Sequence, residues 1–535
     1  MNLLKSVYIC ILIFLLSTGI YINSLQNSFL IDDKPIVENN TLIRDIKNIP
    51  KIFLSNYWAN TPYEKGVFLY RPLVISSFAV DYTIWKNNPF GFHLTNVIIN
   101  GLNSVLLFFV LMKFFNFSKS LYTIYCILYT LLFTFHPIHT EAVNMIVGRT
   151  ELLSTFFYLM TLLFYINNKY FCSLVTFFLS LLSKEIAITL PMVLFVYEFL
   201  FKNKYEKKYY IGFLSVIVIY LVIRAMVLGG FVSIYQTGIL SEQNFLQRVF
   251  IVFQVLGYYL KLNFLPYPLT PDYSDLPLGN SLFKMDVFIS IILIIILFFI
   301  AYRFKDKQKI ISFSIIWFFI TILPVSNIVS IGALIGERFL YLPSISLSIL
   351  MVGIYPKFKN LFLVFCILIL IIFGIITFNR NYEWKDSFSL WSSVLKYQPD
   401  NVRANYNLGE FYENLKDYDK ALMYYEKSIK YYPTHNWHPD RNSILVVKER
   451  ISNIYYNLCL KYYKEKNYKK SLEYSLKAIS NNENNVEAYV MLGNNYFQLN
   501  EIPKALESYK KALQIDPNQY EAKENYERIK KVYKP

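Results

Sequence analysis

FLIDDKPIVENN, residues 29–40, sets two adjacent carboxylates, Asp32 and Asp33, just beyond the first long apolar segment, VYICILIFLLSTGIYIN at residues 7–23. A membrane crossing takes about 17 to 25 mostly apolar residues, so residues 7–23 are long enough to span. No small-x-small cleavage site follows the run, which argues against a removed signal peptide. Lys5 precedes the run and the acidic pair follows it, so the N-terminus is expected in the cytoplasm and the Asp32 loop outside it. Charge at the edge of a bilayer is costly, and acids kept there are as a rule paired or functional.

Working outward, the 535 residues are 55% hydrophobic with a mean hydropathy of +0.34, more apolar material than one soluble core can hide. The chain reads as all-α and polytopic. Apolar runs fill residues 1–378 and then stop, leaving a polar, Tyr- and Lys-rich region at 379–535. The net charge of +16 does not point to nucleic acid, because many Lys and Arg residues sit in short loops between apolar runs, where they orient a chain in a bilayer. Four of the five cysteines lie in apolar segments and Cys459 in the polar region, so neither a disulfide framework nor a CxxC metal site is expected.

After residues 7–23 the apolar runs are 93–114, 120–135, 150–167, 170–182, 185–201, 209–228, 285–303, 310–331, 337–355 and 360–378, a total of about eleven spans. Lys113, Lys119, Lys169, Lys202, Lys204, Lys207, Lys208, Lys357 and Lys359 fall on the cytoplasmic side of this topology. The odd number carries the C-terminal region to the side of Asp32, which is the cell exterior or periplasm in a prokaryote and the ER lumen in a eukaryote. The external loop 24–92 holds two interfacial elements: Leu42 to Phe53, apolar at helical spacing beside Arg44, Lys47 and Lys51, and Tyr70 to Trp85, both read as surface helices. Residues 229–284 are expected to stay external, with 245–265 an interfacial or re-entrant helix, because counting it as a span would put the basic loop YRFKDKQK (302–309) outside.

Beyond residue 379 a 34-residue period sets in. Gly409, Ala421 and Pro433 occupy the small, packing and turn positions of a tetratricopeptide helix pair, and Gly493, Ala505 and Pro517 repeat them 84 residues later. Cys459 and Ser471 fill the intermediate register, and the 16 surplus residues form an insertion near THNWHPDRN. The α-solenoid therefore comprises a half-repeat at 384–400, repeats at about 401–434, 450–484 and 485–518, and a capping helix at 519–534. Such a solenoid offers a concave surface for a peptide, with a spacer or dimerisation arm as the plainer alternative.

Asp32 and Asp33 point different ways in any regular backbone, so one of them can act as a base at a given atom and the sequence leaves open which. The same side gathers Arg71 in YRPL, Arg149 in VGRTELLS, Lys184 in LSKE and Arg338 in GERFLYLPS. Each alone could be an interfacial anchor or a partner for Glu151, Glu185 or Glu337; four together suit a donor phosphate. His136, His139 and Glu141 have ligand-like spacing, but Pro137 breaks the helix that would align them, so no metal is assigned. The chemistry these groups fit is sugar transfer from a polyprenyl phosphate, with a carboxylate taking the acceptor proton, cations steadying the departing phosphate, and inversion at the anomeric carbon.

FLIDDKPIVENN, YRPLVISSF, NPFGFHLTNVIINGLNSVLL, FHPIHTEAVNMIVGRTELLS, LSLLSKEIAITLPMVLFVYE, GERFLYLPS and RNYEWKDSFSLWSSVLKYQPDNVRANYNLG, in this order and followed by tetratricopeptide repeats, resemble the transmembrane and tetratricopeptide-repeat containing O-mannosyltransferases, the TMTC family. The resemblance implies a GT-C membrane domain at 1–378, a dolichyl- or polyprenyl-phosphate mannose donor, and Ser or Thr hydroxyls of a protein outside the cytosol as acceptors. It also implies an acidic catalytic residue in the first external loop, carried over to Asp32 with Asp33 as the second acid. Arg71, Arg149, Lys184 and Arg338 are then candidate phosphate ligands, and His136, His139, Glu141, Glu185 and Glu337 supporting groups. The expected partners are the lipid-linked donor, the membrane and an acceptor protein held by the repeats, with no further cofactor assigned. Two other functions fit the pattern: a non-catalytic membrane-anchored scaffold, and a ligase or polymerase of lipid-linked oligosaccharides.

Overall fold

The computed structural model describes residues 3–64, 68–114, 120–202, 206–230, 240, 243–274, 276–329, 331, 333–354, 359–432 and 443–533. Among these residues the elements are helices throughout, divided into two compact units, 1–393 and 394–535.

In the first unit six helices are long and apolar enough to cross a membrane: Pro89–Lys113, Ile146–Ile166, Lys207–Leu228, Phe245–Phe264, Met285–Phe304 and Leu361–Glu383. Four shorter apolar helices accompany them: Leu4–Gly19, Thr123–Thr134, Tyr170–Ser183 and Lys309–Val325. Pro89–Phe114 packs against Leu3–Gly19, Ser120–Thr134 and Arg149–Ile166 around fully buried Leu107, Phe108, Leu111, Tyr158 and Leu162. Met285–Phe304 and Lys359–Glu383 instead expose Ile295, Phe299, Leu368 and Ile375, apolar rows that suit lipid.

Polar side chains stitch this bundle together. The Asn96 amide donates to the carbonyls of Met145 at 3.1 Å and Ile146 at 3.2 Å, fixing the VGRTE loop beside Pro89–Phe114. Gly148 in that loop has no substitute, since a Cβ there would lie 2.3 Å from the Ala142 carbonyl oxygen.

Several sequence expectations change. Leu42 to Phe53 is not one helix: two 3-10 turns, Thr41–Arg44 and Ile46–Asn48, precede a short helix, Ile49–Phe53. Asp45 is extended and its side chain caps Lys47, which interrupts the helical path. Pro72–Trp85 is no surface helix, since Val74, Phe78 and Ala79 are fully buried against neighbouring helices. The apolar run 185–201 divides into Glu185–Thr189, Leu190–Tyr197 and Glu198–Lys202, and the run 337–355 into Glu337–Leu340 and Ile345–Gly353. Phe245–Phe264, expected at the interface, matches the span-length helices in length and apolarity. Lys119, Lys204, Lys357, Pro433, Lys534, the insertion THNWHPDRN and residues 231–239 of the external segment lie outside the described residues.

In the second unit the helix pairs are Val402–Asn414 with Tyr418–Tyr431, Ser443–Lys464 with Tyr468–Asn481, and Val486–Gln498 with Ile502–Ile515, followed by Tyr520–Val532. The period is written in the backbone: Lys416, Lys466 and Asn500 occupy equivalent turns with φ of 60°, 59° and 63°. Gly409 and Gly493 exist because a Cβ at either would sit 2.6 Å from the ring of Tyr425 or Tyr509.

Candidate active site

Leu30 to Asp33 form a tight turn. The Asp33 N–H donates to the Leu30 carbonyl at 2.7 Å, and the Asp33 carboxylate accepts from the Leu30 N–H at 3.2 Å. Its other oxygen accepts from the Val147 N–H at 2.8 Å, tying the turn to the VGRTE loop. Ile31 within the turn has φ 45°, a region a β-branched residue rarely adopts, and backbone strain of this kind clusters at functional sites. The two acids thus divide their work. Asp33 is fully buried and committed to backbone; burial pushes its carboxyl up to about 7, against the pull of those hydrogen bonds and with Asp32 adding repulsion. Asp32 is half-buried, and its charge is felt by Tyr57 and Arg338.

Three of the four candidate cations gather here. Arg71, at the start of Pro72–Trp85, grips Glu185 through Nε at 3.2 Å and Nη2 at 2.9 Å, with its guanidinium 5.3 Å from the Tyr57 ring centre. Lys184 is buried against Glu151 and lies 4.8 Å from the Phe339 ring centre. Arg338 pairs with Glu141, whose second oxygen accepts from the Arg338 backbone N–H at 2.9 Å. The cations sense one another: burial lowers the Lys184 pKa first, Glu151 opposes this, and Arg71 and Arg338 lower it further.

Arg149 differs from this group in being fully committed to protein partners. It is fully buried, and its fork is spent on Asp81 at 2.6 Å, Asn96 at 2.8 Å, the Phe92 carbonyl at 2.8 Å and Ser77 at 3.2 Å. Arg149 and Glu151 are two apart on one helix, so Arg149 turns to Asp81 while Glu151 turns to Lys184. His136 accepts from the Ile138 N–H through Nδ1 at 3.3 Å and faces the Asn263 carbonyl through Nε2 at 3.1 Å, which selects the neutral tautomer protonated on Nε2. His139 Nε2 lies 2.8 Å from Ser344 Oγ. Burial pushes His136 down to about 4, and His139 well below its ordinary value with His136 adding repulsion, so both rings stay neutral. They support the loop that carries Glu141. Glu337 faces the opposite way from Arg338 and accepts Arg380 through both oxygens at 2.9 Å.

Among the described residues no group of three His, Cys, Asp or Glu side chains is arranged to hold a metal ion. Tyr57, Asp81 and Arg380 were not picked from the sequence. Tyr57 is an aromatic in a polar loop, Asp81 sits on a helix taken for a surface one, and Arg380 lies in RNYEW, a stretch that carries the resemblance without an assigned role.

Comparison with known proteins finds relatives along most of the chain. The tetratricopeptide repeat family matches residues 402–435 and 486–519. A protein O-mannosyl-transferase of Caenorhabditis elegans is 30% identical over 424 residues, covering 75% of this chain and 59% of its own length. Protein O-mannosyl-transferase TMTC3 of Homo sapiens is 26% identical over 591 aligned positions, covering 94% of this chain and 63% of its own, and the Mus musculus protein of the same name is 25% identical with 93% and 63% covered. The chain thus spans about three fifths of the length of these relatives. It is a relative of the TMTC protein O-mannosyl-transferases, with an apolar helical unit followed by tetratricopeptide repeats.

Proposed function

We propose that the chain is a membrane glycosyltransferase that moves mannose from a polyprenyl or dolichyl phosphate to a Ser or Thr hydroxyl of an acceptor protein. Asp32 is the general base. It takes the hydroxyl proton as the acceptor oxygen bonds to the anomeric carbon from the face opposite the phosphate, and the bond from that carbon to the phosphate oxygen breaks with inversion. The phosphate leaves as an anion. The observation that carries this reading is the half-buried Asp32 in the field of Arg338, with Arg71 and Lys184 beside it.

The paired cations suit a phosphate for a physical reason. An unpaired guanidinium in a buried site is costly, and a carboxylate on one edge keeps it charged while another edge faces the ligand. Glu185 takes the Nε and Nη2 edge of Arg71, and Glu141 takes Nη1 of Arg338, whose side chain retains 27% exposure against 14% for Arg71. Arg338 and Arg71 are therefore the phosphate ligands of the proposal. Lys184 adds charge from a deeper position, and Arg149 holds the scaffold. The Asp32 loop and the repeats lie on the non-cytoplasmic side, where the repeats hold the acceptor.

The test is transfer of labelled mannose from polyprenyl-phosphate mannose to an acceptor protein by the purified full chain in detergent. A general base contributes about 10²- to 10⁴-fold, so Asp32→Asn should lower turnover by that factor while the protein stays folded. Undiminished turnover in Asp32→Asn would overturn the assignment, and consumption of a lipid-linked oligosaccharide in place of the mannosyl lipid would point to the ligase alternative.

A further inference from the structure

One six-residue stretch at the end of the last apolar helix, Arg380 to Lys385, touches the segments that bear Asp32, Glu141 and Arg338. Arg380 is 5% exposed and donates from Nε to Thr140 Oγ1 at 2.9 Å, from Nη1 to the Leu269 carbonyl at 3.0 Å and Glu383 at 2.8 Å, and from Nη2 to both Glu337 oxygens at 2.9 Å. These contacts engage all three nitrogens of the guanidinium. Thr140 immediately precedes Glu141, and Glu337 immediately precedes Arg338, so Arg380 grips the neighbour of each member of the Glu141–Arg338 pair.

Asn381 ties down the segment that leads into the acidic turn, its carbonyl accepting from Asn27 Nδ2 at 3.5 Å. Its amide donates to the Ile20 carbonyl at 2.9 Å and Asn23 Oδ1 at 2.8 Å, and its side-chain oxygen accepts from Asn144 at 2.8 Å. The Ser28 N–H donates to the Lys385 carbonyl at 2.8 Å, two residues before the turn that bears Asp32 begins. Asn144 lies on the short helix Thr140–Asn144 that also holds Glu141, so the acid and its cation are referred to a single rigid element. Placement of reacting groups to within a fraction of an ångström requires such a supporting shell.

We propose that Arg380 and Asn381 are positioning residues that hold the Asp32 turn, Glu141 and Arg338 in one arrangement. The proposal rests on the reading of Asp32 and Arg338 as base and phosphate ligand for its kinetic consequence, though not for its structural one. Arg380 touches no substrate; it acts through Glu337 and Thr140. Glu337 also accepts from the Thr270 N–H at 2.7 Å and the Tyr273 hydroxyl at 2.8 Å, so a lost guanidinium leaves a buried carboxylate still anchored on its other side.

The experiment compares the full chain in detergent with Arg380→Gln, Asn381→Ala, Glu337→Gln and the double variant Arg380→Gln/Glu337→Gln. Hydrogen exchange by mass spectrometry reads the structural claim directly. In Arg380→Gln, backbone amides of 337–341 and 140–144 should exchange about 10-fold faster or more, and in Asn381→Ala those of 28–33 should do so, with the repeat unit unchanged. The kinetic claim is read by the KM for polyprenyl-phosphate mannose. Arg380→Gln should raise it about 10-fold with a lowered melting midpoint, whereas the double variant, which removes both buried charges, should recover the midpoint but not the KM. Unchanged exchange in both Arg380→Gln and Asn381→Ala would overturn the proposal, as would a double-variant KM that returns to normal together with the melting midpoint. Arg338→Gln serves as the control: if it leaves the donor KM unchanged, the functional reading fails while the exchange result still decides the positioning role.

Discussion

Replacing Glu141 by Gln should loosen Arg338 without opening a cavity. Glu141 holds Arg338 at two points, a charge-assisted contact with the guanidinium and a hydrogen bond from the backbone N–H at 2.9 Å. Gln keeps one carbonyl oxygen and can retain the backbone bond, so the loss is the charge-assisted one. Such a bond contributes about 1.5 to 3 kcal/mol, and each 1.4 kcal/mol is tenfold, so Glu141→Gln should lower kcat/KM by roughly 10- to 150-fold. Glu141→Ala loses both bonds and should fall further. The assay is the initial rate of labelled mannose transfer across a range of donor concentrations at saturating acceptor. Because Arg338 is assigned to the phosphate, the effect should fall on donor KM at least as much as on kcat. A kcat/KM within about twofold of the native value in Glu141→Gln would refute the idea that Glu141 aims Arg338.

Other consequences are open to measurement. Asp33 is raised to about 7 from 3.8, so between those values the folded chain keeps a proton that the unfolded chain has released, and stability falls as pH rises through that window. The melting midpoint of the native protein relative to Asp33→Asn should therefore decline from pH 4 to about 7 and level off above, and a flat difference would exclude Asp33 as the titrating group. Glu151→Gln strands buried Lys184 and should destabilise the chain by about 3 to 5 kcal/mol, whereas Glu151→Gln/Lys184→Met should recover most of that stability without recovering turnover. Arg149→Lys should lower the melting midpoint at unchanged donor KM, because the Asp81, Asn96 and Phe92 contacts need a planar fork; a selective rise in KM would return Arg149 to the phosphate. Gly493→Ala puts a methyl 2.6 Å from the Tyr509 ring and should destabilise the last repeat by about 1 to 3 kcal/mol, seen as faster exchange of Val486–Ile515 and not of the first unit.

Chain order and local pattern carried the large features. Apolar runs mark the first unit because a helix crossing a bilayer needs about 20 mostly apolar residues, and Gly409, Ala421 and their counterparts 84 residues on mark the repeats because one helix pair is stacked again and again. Short polar loops were less legible. Leu42 to Phe53 has helical spacing of apolar residues, yet Asp45 prefers to cap its own backbone, a local competition that periodicity does not register. Pro72–Trp85 is too polar and short for a span, yet Asp81 on it is the buried partner of Arg149, a long-range pairing that local pattern does not register.

By itself the sequence determined that the chain is helical, rich in membrane-length segments, ends in tetratricopeptide repeats, and sets an acidic pair after its first apolar run. Which acid is buried on backbone and which lies in the field of Arg338, which candidate cations sense one another and which is walled in by Asp81, and that Arg380 joins Thr140 to Glu337 were decided by tertiary structure alone. The physical reason is range. Helix and repeat signals act over a few residues or a fixed period, whereas the charge pairs join residues 114, 33 and 197 positions apart, and their sign, burial and direction exist only once the chain has closed on itself.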